Sequence, residues 1–91
     1  MFFASFSALG ADLISLDSNI LAVSKRGNVV LQLGSFASIS VNSRVILELN
    51  SQNVAECKVI TVNENRVLLK ILKSKGFRPI AGTRLKLKYK S

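Results

Sequence analysis

Ninety-one residues, 48% of them hydrophobic, with a mean hydropathy of +0.34, suffice for one small domain with a core and are too apolar for a disordered chain. The chain has no histidine, which removes the Ser–His nucleophile, the commonest general base and the ordinary zinc site. Its formal charge of +8 sets up a field that attracts nucleic acid, anionic lipid or acidic protein without choosing among them.

That charge is unevenly placed. All five acids (Asp12, Asp17, Glu48, Glu56, Glu64) lie at or before position 64, alongside four bases, for a net of −1. Residues 65–91 carry nine bases and no acid: Arg66, Lys70, Lys73, Lys75, Arg78, Arg84, Lys86, Lys88 and Lys90.

In chain order, residues 1–12 come first, and MFFASFSALGA is apolar, small and uncharged. It is too short to span a bilayer. Ala8-Leu9-Gly10 places small residues where a signal peptidase cuts, but the basic n-region of a signal peptide is missing, the first base being Lys25. Two readings stand: the remnant of a signal peptide whose start lies upstream, or a segment that packs on the core. Residues 13–91 form the single folded domain.

From Leu13 onward, strands and turns alternate. Asn19–Val23 and Asn28–Leu33 are apolar runs joined by a hairpin turn at Lys25-Arg26-Gly27-Asn28, where Gly27 and Asn28 tolerate positive φ. Gly34 to Ser43 reads as a long, Ser-rich loop carrying Phe36, Ile39 and Val41. Arg44–Leu49 points Val45, Leu47 and Leu49 inward, with Ile46 an apolar exception outside. Asn50 to Asn53 is a turn, Val54–Val62 a strand, and Asn63-Glu64-Asn65 leads into Arg66–Lys73. Ser74 to Gly82 is a loop holding Pro79, and Thr83–Lys90 is the closing strand. In that last strand Leu85, Leu87 and Tyr89 alternate with Arg84, Lys86, Lys88 and Lys90. No window after residue 19 keeps a helical period, and β-branched residues crowd the strands. The expected fold is all-β, a small, mainly antiparallel barrel or sandwich of five to six strands with hairpin neighbours. Closure into a barrel buries the apolar rows and the edges together.

Nothing in the pattern names a reaction. Cys57 stands alone in mid-strand, where a small buried residue is the expected role. The carboxylates are scattered, and cap or turn roles suffice for Asp12 and Asp17. The five glycines form no phosphate-cradling loop ahead of a helix. The expectation is a non-enzyme with no catalytic residue, no cofactor, no metal and no small-molecule substrate.

Binding is what remains. Lys73, Lys75, Phe77 and Arg78 place an aromatic in a basic loop, close in sequence to Arg84, Lys86, Lys88 and Lys90. These eight are the candidate polyanion- or partner-binding residues. Phe77 could stack on bases beside lysines that follow a phosphate backbone. Against that, Phe77 and Ile80 could fold back as a plug for one barrel end, with Tyr89 in the core. The lysine row also suits an exposed edge strand, where like charges discourage pairing with a second copy. Contact with anionic lipid is a further use, worth about 1 kcal/mol per basic residue near the surface.

Two resemblances rest on particular residues. Ile20–Val23, Asn28–Gly34, Val41–Leu47, Val54–Val62 and Ile80–Leu87 follow an order of strands and turn glycines. That order resembles the small β-barrel modules of bacterial flagellar and envelope accessory proteins, notably the C-terminal domain of the flagellar H-ring protein FlgT. Asn42-Ser43 stands where those modules have a second glycine. Leu49–Asn63 is similar to a segment of the SpoA domain of flagellar and injectisome switch proteins, without the glycine expected near Cys57. Both imply an assembly part rather than a catalyst. The expectation is a structural or adaptor module of the cell envelope, associated with protein partners in flagellar or secretion machinery and located in the periplasm or envelope if a longer signal peptide lies upstream. The alternative is a cytoplasmic barrel that binds nucleic acid through its basic half.

Overall fold

The alternating segments form six strands in a computed structural model that describes residues 13–34 and 39–90. They are β1 (Leu13–Val23), β2 (Asn28–Leu33), β3 (Arg44–Leu49), β4 (Gln52–Asn63), β5 (Arg66–Ser74) and β6 (Arg84–Lys90). Both readings of residues 1–12, and the placement of Phe36, fall outside the described residues.

The strands close into a barrel in the order β1-β2-β5-β4-β3-β6, each antiparallel to both neighbours. The expected all-β barrel is therefore the fold, with six staves. Hairpin neighbours account for β1–β2, β3–β4 and β4–β5. The two longer connections do otherwise: β2 lies beside β5, and β6 returns beside β3, a Greek-key arrangement. Because β6 pairs with β1 from Leu13↔Lys90 to Asn19↔Arg84, and with β3 from Val45↔Tyr89 to Glu48↔Lys86, it is no edge strand. The edge-guarding use of its lysines falls away.

Alternation decides what lies inside. Val29, Leu31 and Leu33 of β2, Val45 and Leu47 of β3, Ala55, Cys57 and Val59 of β4, Val67 and Leu69 of β5, and Leu85, Leu87 and Tyr89 of β6 are buried in one cluster with Ile20. Ile39 joins that cluster from the loop entering β3, and Phe77 packs against it from the loop before β6. Those loops sit at opposite ends of the barrel, so each end has its own apolar stopper. Ile80 is not part of one, being 64% exposed.

β1 is longer than its apolar run because its polar residues have places. Ser18 points inward, and its Oγ donates to the Leu85 carbonyl at 3.1 Å. Asp17 is neither cap nor turn: it sits within β1, where its carbonyl accepts the Gly34 N–H at 2.7 Å. Extra residues interrupt the ladders at Leu21 of β1, Val54 and Ile60 of β4, and Leu72 of β5. Such bulges break strict alternation, and three of these four side chains are exposed apolar ones.

The turns obey backbone sterics. At the two-residue β3–β4 turn, shorter than the four residues expected, Asn50 (φ 53) and Ser51 (φ 65) are both left-handed, as primed hairpin turns require. Serine is a poor occupant of that region, since a Cβ there crowds the following carbonyl. Ser51→Gly should accordingly stabilise the barrel by about 0.5–1 kcal/mol after the entropy of glycine is subtracted. Leu87→Ala, which empties a fully buried position, should cost about 2–5 kcal/mol. Urea unfolding midpoints check both, and a Ser51→Gly midpoint below the parent's would contradict the turn assignment.

Candidate functional site

Arg84, Lys86, Lys88 and Lys90 all point outward from β6, as their spacing predicts. Their surroundings are not what the acid-free sequence suggests. Lys86 lies directly opposite Asp17 on β1 and Glu48 on β3. Lys88 Nζ is 2.9 Å from Glu48 Oε1, with both side chains mostly covered. The acids of the first half thus flank the bases of the last strand. An open groove of about 620 Å³ runs here, lined by Asp17, Asn19, Glu48, Asn50, Arg84 and Lys86 among others. Its charge is mixed.

The remaining candidate residues lie elsewhere. Lys73 is on β5 opposite Glu56, and the Lys75 N–H donates to the Val54 carbonyl at 3.0 Å. Phe77 is half-buried against the core, while Arg78 is exposed. In a six-stranded ring of this order, β5 and β6 stand three staves apart in either direction. Lys73 and the β6 lysines consequently face opposite sides, and the eight residues do not form one surface.

A basic face does exist, made by different residues. The registers align Arg44 on β3, Lys58 on β4 and Lys70 on β5 in one row across the barrel, with Asn28 next on β2. Each is exposed next to at least one buried neighbour (Val45, Cys57 and Val59, Leu69), so all three point outward. Adjacent strands are about 4.8 Å apart, which puts the backbone positions of the three cations within about 10 Å of one another. Arg44 Nη1 donates to Glu56 Oε2 at 3.2 Å, which fixes the guanidinium while leaving much of it in solvent. Lys58 and Lys70 directly oppose each other, and neither has an ion-pair partner among the described residues.

The bulges create this opposition. From the Glu64-Asn65 turn, β4 and β5 pair as Asn63↔Arg66, Val62↔Val67 and Thr61↔Leu68. Without Ile60 as an extra residue, Lys58 would come to face Ile71. With it, Val59 meets Leu69 and Lys58 meets Lys70. Leu72 then restores the original register on the other side. The signal in the sequence is the broken alternation of Val59-Ile60-Thr61-Val62, where two successive residues both face outward.

Beneath this face lie Glu56 and Cys57. Glu56 is buried although it lies on the outer side of β4, opposite Ile46, which is itself only 1% exposed. Glu56 Oε1 has no hydrogen-bond partner among the described residues. Burial, and secondarily the charge of Glu56 beside it, push the Cys57 thiol from 9.0 up to about 12. A thiol held protonated in the core is a poor nucleophile. Among the described residues no three metal-ligating acids or thiols come together.

The thiol carries two expectations. Native protein should resist alkylation at pH 8, with Cys57 reacting only in denaturant. Because the folded state retains this proton up to about pH 12 while the unfolded chain releases it near 9, its contribution to stability is intact below pH 9 and declines as pH rises from there. A denaturation series from pH 7 to 11, compared between the parent and Cys57→Ala, should show the parent losing stability faster; parallel curves would argue against a buried thiol. Comparison of the chain with protein-family models, with curated proteins and with solved structures found no match.

Proposed function

We propose that this barrel is a non-enzymatic adaptor or structural module that works by protein–protein association. One observation carries the reading. Among the described residues both aromatic side chains, Phe77 and Tyr89, are turned into the core, and the exposed large apolar side chains are all aliphatic: Ile14, Leu21, Val23, Val41, Ile60, Leu72 and Ile80. Binding of single-stranded nucleic acid draws on aromatic faces for stacking. Aliphatic side chains set among lysines and arginines suit the mixed apolar and charged surface of a protein partner. With every stave paired on both sides, association goes through side chains on the outer faces and loops rather than by adding a strand.

The setting follows from the resemblance to flagellar and envelope accessory modules: a bacterial envelope assembly, such as a flagellum or secretion apparatus, in which this domain is an accessory part.

A photo-crosslinking residue in place of Ile80 in cells of the source organism tests the association. One protein adduct of defined mass, recovered from the envelope fraction and retained in high salt, is the expected result. Tight binding of a 20-nucleotide oligo-dT by the purified protein, weakened by salt and lost on Phe77→Ala and on Lys86→Glu, would replace this reading with the nucleic-acid one.

A further inference from the structure

On the β4–β5 outer face the barrel holds two like charges directly opposed across a ladder, with no ion pair for either among the described residues. Lys58 and Lys70 sit directly opposite each other on the ladder, with Arg44 next in the row. Directly opposed like charges destabilise a sheet. Arrangements that lower stability without helping the fold are characteristic of binding surfaces. Here the arrangement depends on two register shifts, at Ile60 and Leu72, and bulges commonly re-aim side chains beside functional sites.

The rest of the face defines the ligand. The one acid on it, Glu56, is buried and committed to Arg44, so it does not quench the lysines from solvent. Arg44 is thereby held with free guanidinium donors outward, and Lys73 adds a fourth cation opposite Glu56. Ile60 lies two residues beyond Lys58 on β4, and Leu72 two residues beyond Lys70 on β5, at 36% and 39% exposure. An aliphatic side chain thus stands on either side of the lysine pair, in opposite directions along the strands.

We infer that the outer face of β4–β5, centred on Lys58 and Lys70 and flanked by Ile60 and Leu72, docks a protein segment that presents carboxylates alternating with aliphatic side chains. This rests on the proposed association function and names its surface. One carboxylate can lie between the two ammonium groups, relieving their repulsion, while aliphatic neighbours cover Ile60 and Leu72. A phosphodiester chain would satisfy the lysines but leave both aliphatics in water. Side chains little more than a third exposed lie flush with the stave and suit a surface laid against them better than insertion into a bilayer.

The test uses the full chain, an alternating Asp-Leu heptapeptide, the same peptide with Ser for Asp, oligo-dT and phosphatidylglycerol vesicles. The acidic peptide should move the amide signals of Lys58, Ile60, Lys70 and Leu72, and the Ser peptide should not. Lys58→Glu should weaken peptide binding about tenfold or more, yet raise Tm by a few degrees because it turns the opposed pair into an attractive one. Lys86→Glu, on the far stave, should leave the peptide affinity unchanged. Unaltered affinity in Lys58→Glu, shifts gathered on β6, or tighter binding of oligo-dT or vesicles by this face would overturn the proposal. If Ile80 crosslinks to a protein partner whose binding Lys58→Glu leaves intact, the association function stands and this surface is wrong.

Discussion

Everything in this barrel depends on where β6 goes. By entering between β1 and β3 it closes the ring, satisfies the outer hydrogen-bonding edges of two strands, and brings Leu85, Leu87 and Tyr89 into the core beside Val45 and Leu47. A domain of this size has little apolar area to spare, so a ring left open at this stave would expose two edges and the core side chains beneath them at once. The polar residue tolerated inside is held by the same strand, since Ser18 bonds the Leu85 carbonyl.

The same placement governs the electrostatics. A chain whose acids all precede residue 65 reads as having a neutral half and a basic half. Topology mixes them, because the strands on either side of β6 carry Asp17 and Glu48. Meanwhile bases from both halves, Arg44 and Lys58 from the first and Lys70 from the second, align on three adjoining strands. Charge segregated along the chain became a mixed face on one side, and charge scattered along the chain became a patch on the other.

The architecture was legible to the extent that it rests on local rules. Alternation located the strands, turn residues located most hairpins, and the inward rows of β3 and β6 followed from period two. Three kinds of feature escaped. The lower half of β1 was hidden because Asp17 suits a cap or turn and Ser18 is polar, and neither reads as strand until the partner of Ser18 is known. The strand order was hidden because it is fixed by loops of about nine residues that carry no pairing information of their own. The basic face was hidden because cross-strand neighbours depend on bulges, and one extra residue at Ile60 decides whether Lys58 meets a lysine or an isoleucine. The sites nominated from the sequence, around Phe77 and along β6, were chosen by nearness in the chain, which a Greek-key ring does not preserve.

β6 is also the last strand to be made, and its two partners are the first and the third. The ring therefore has no partial version in which the early strands are finished: β1 waits for a neighbour roughly seventy positions later, and Ser18 finds its carbonyl 67 residues away. Pairings this distant must meet the entropy of loop closure before they return any stabilisation. Until β6 has been made, the edges of β1 and β3 that it covers lack their partner, and unpaired edges are open to whatever binds exposed strands. The basic strand that closes the barrel is, in time as well as in space, the step that turns a vulnerable intermediate into a finished domain.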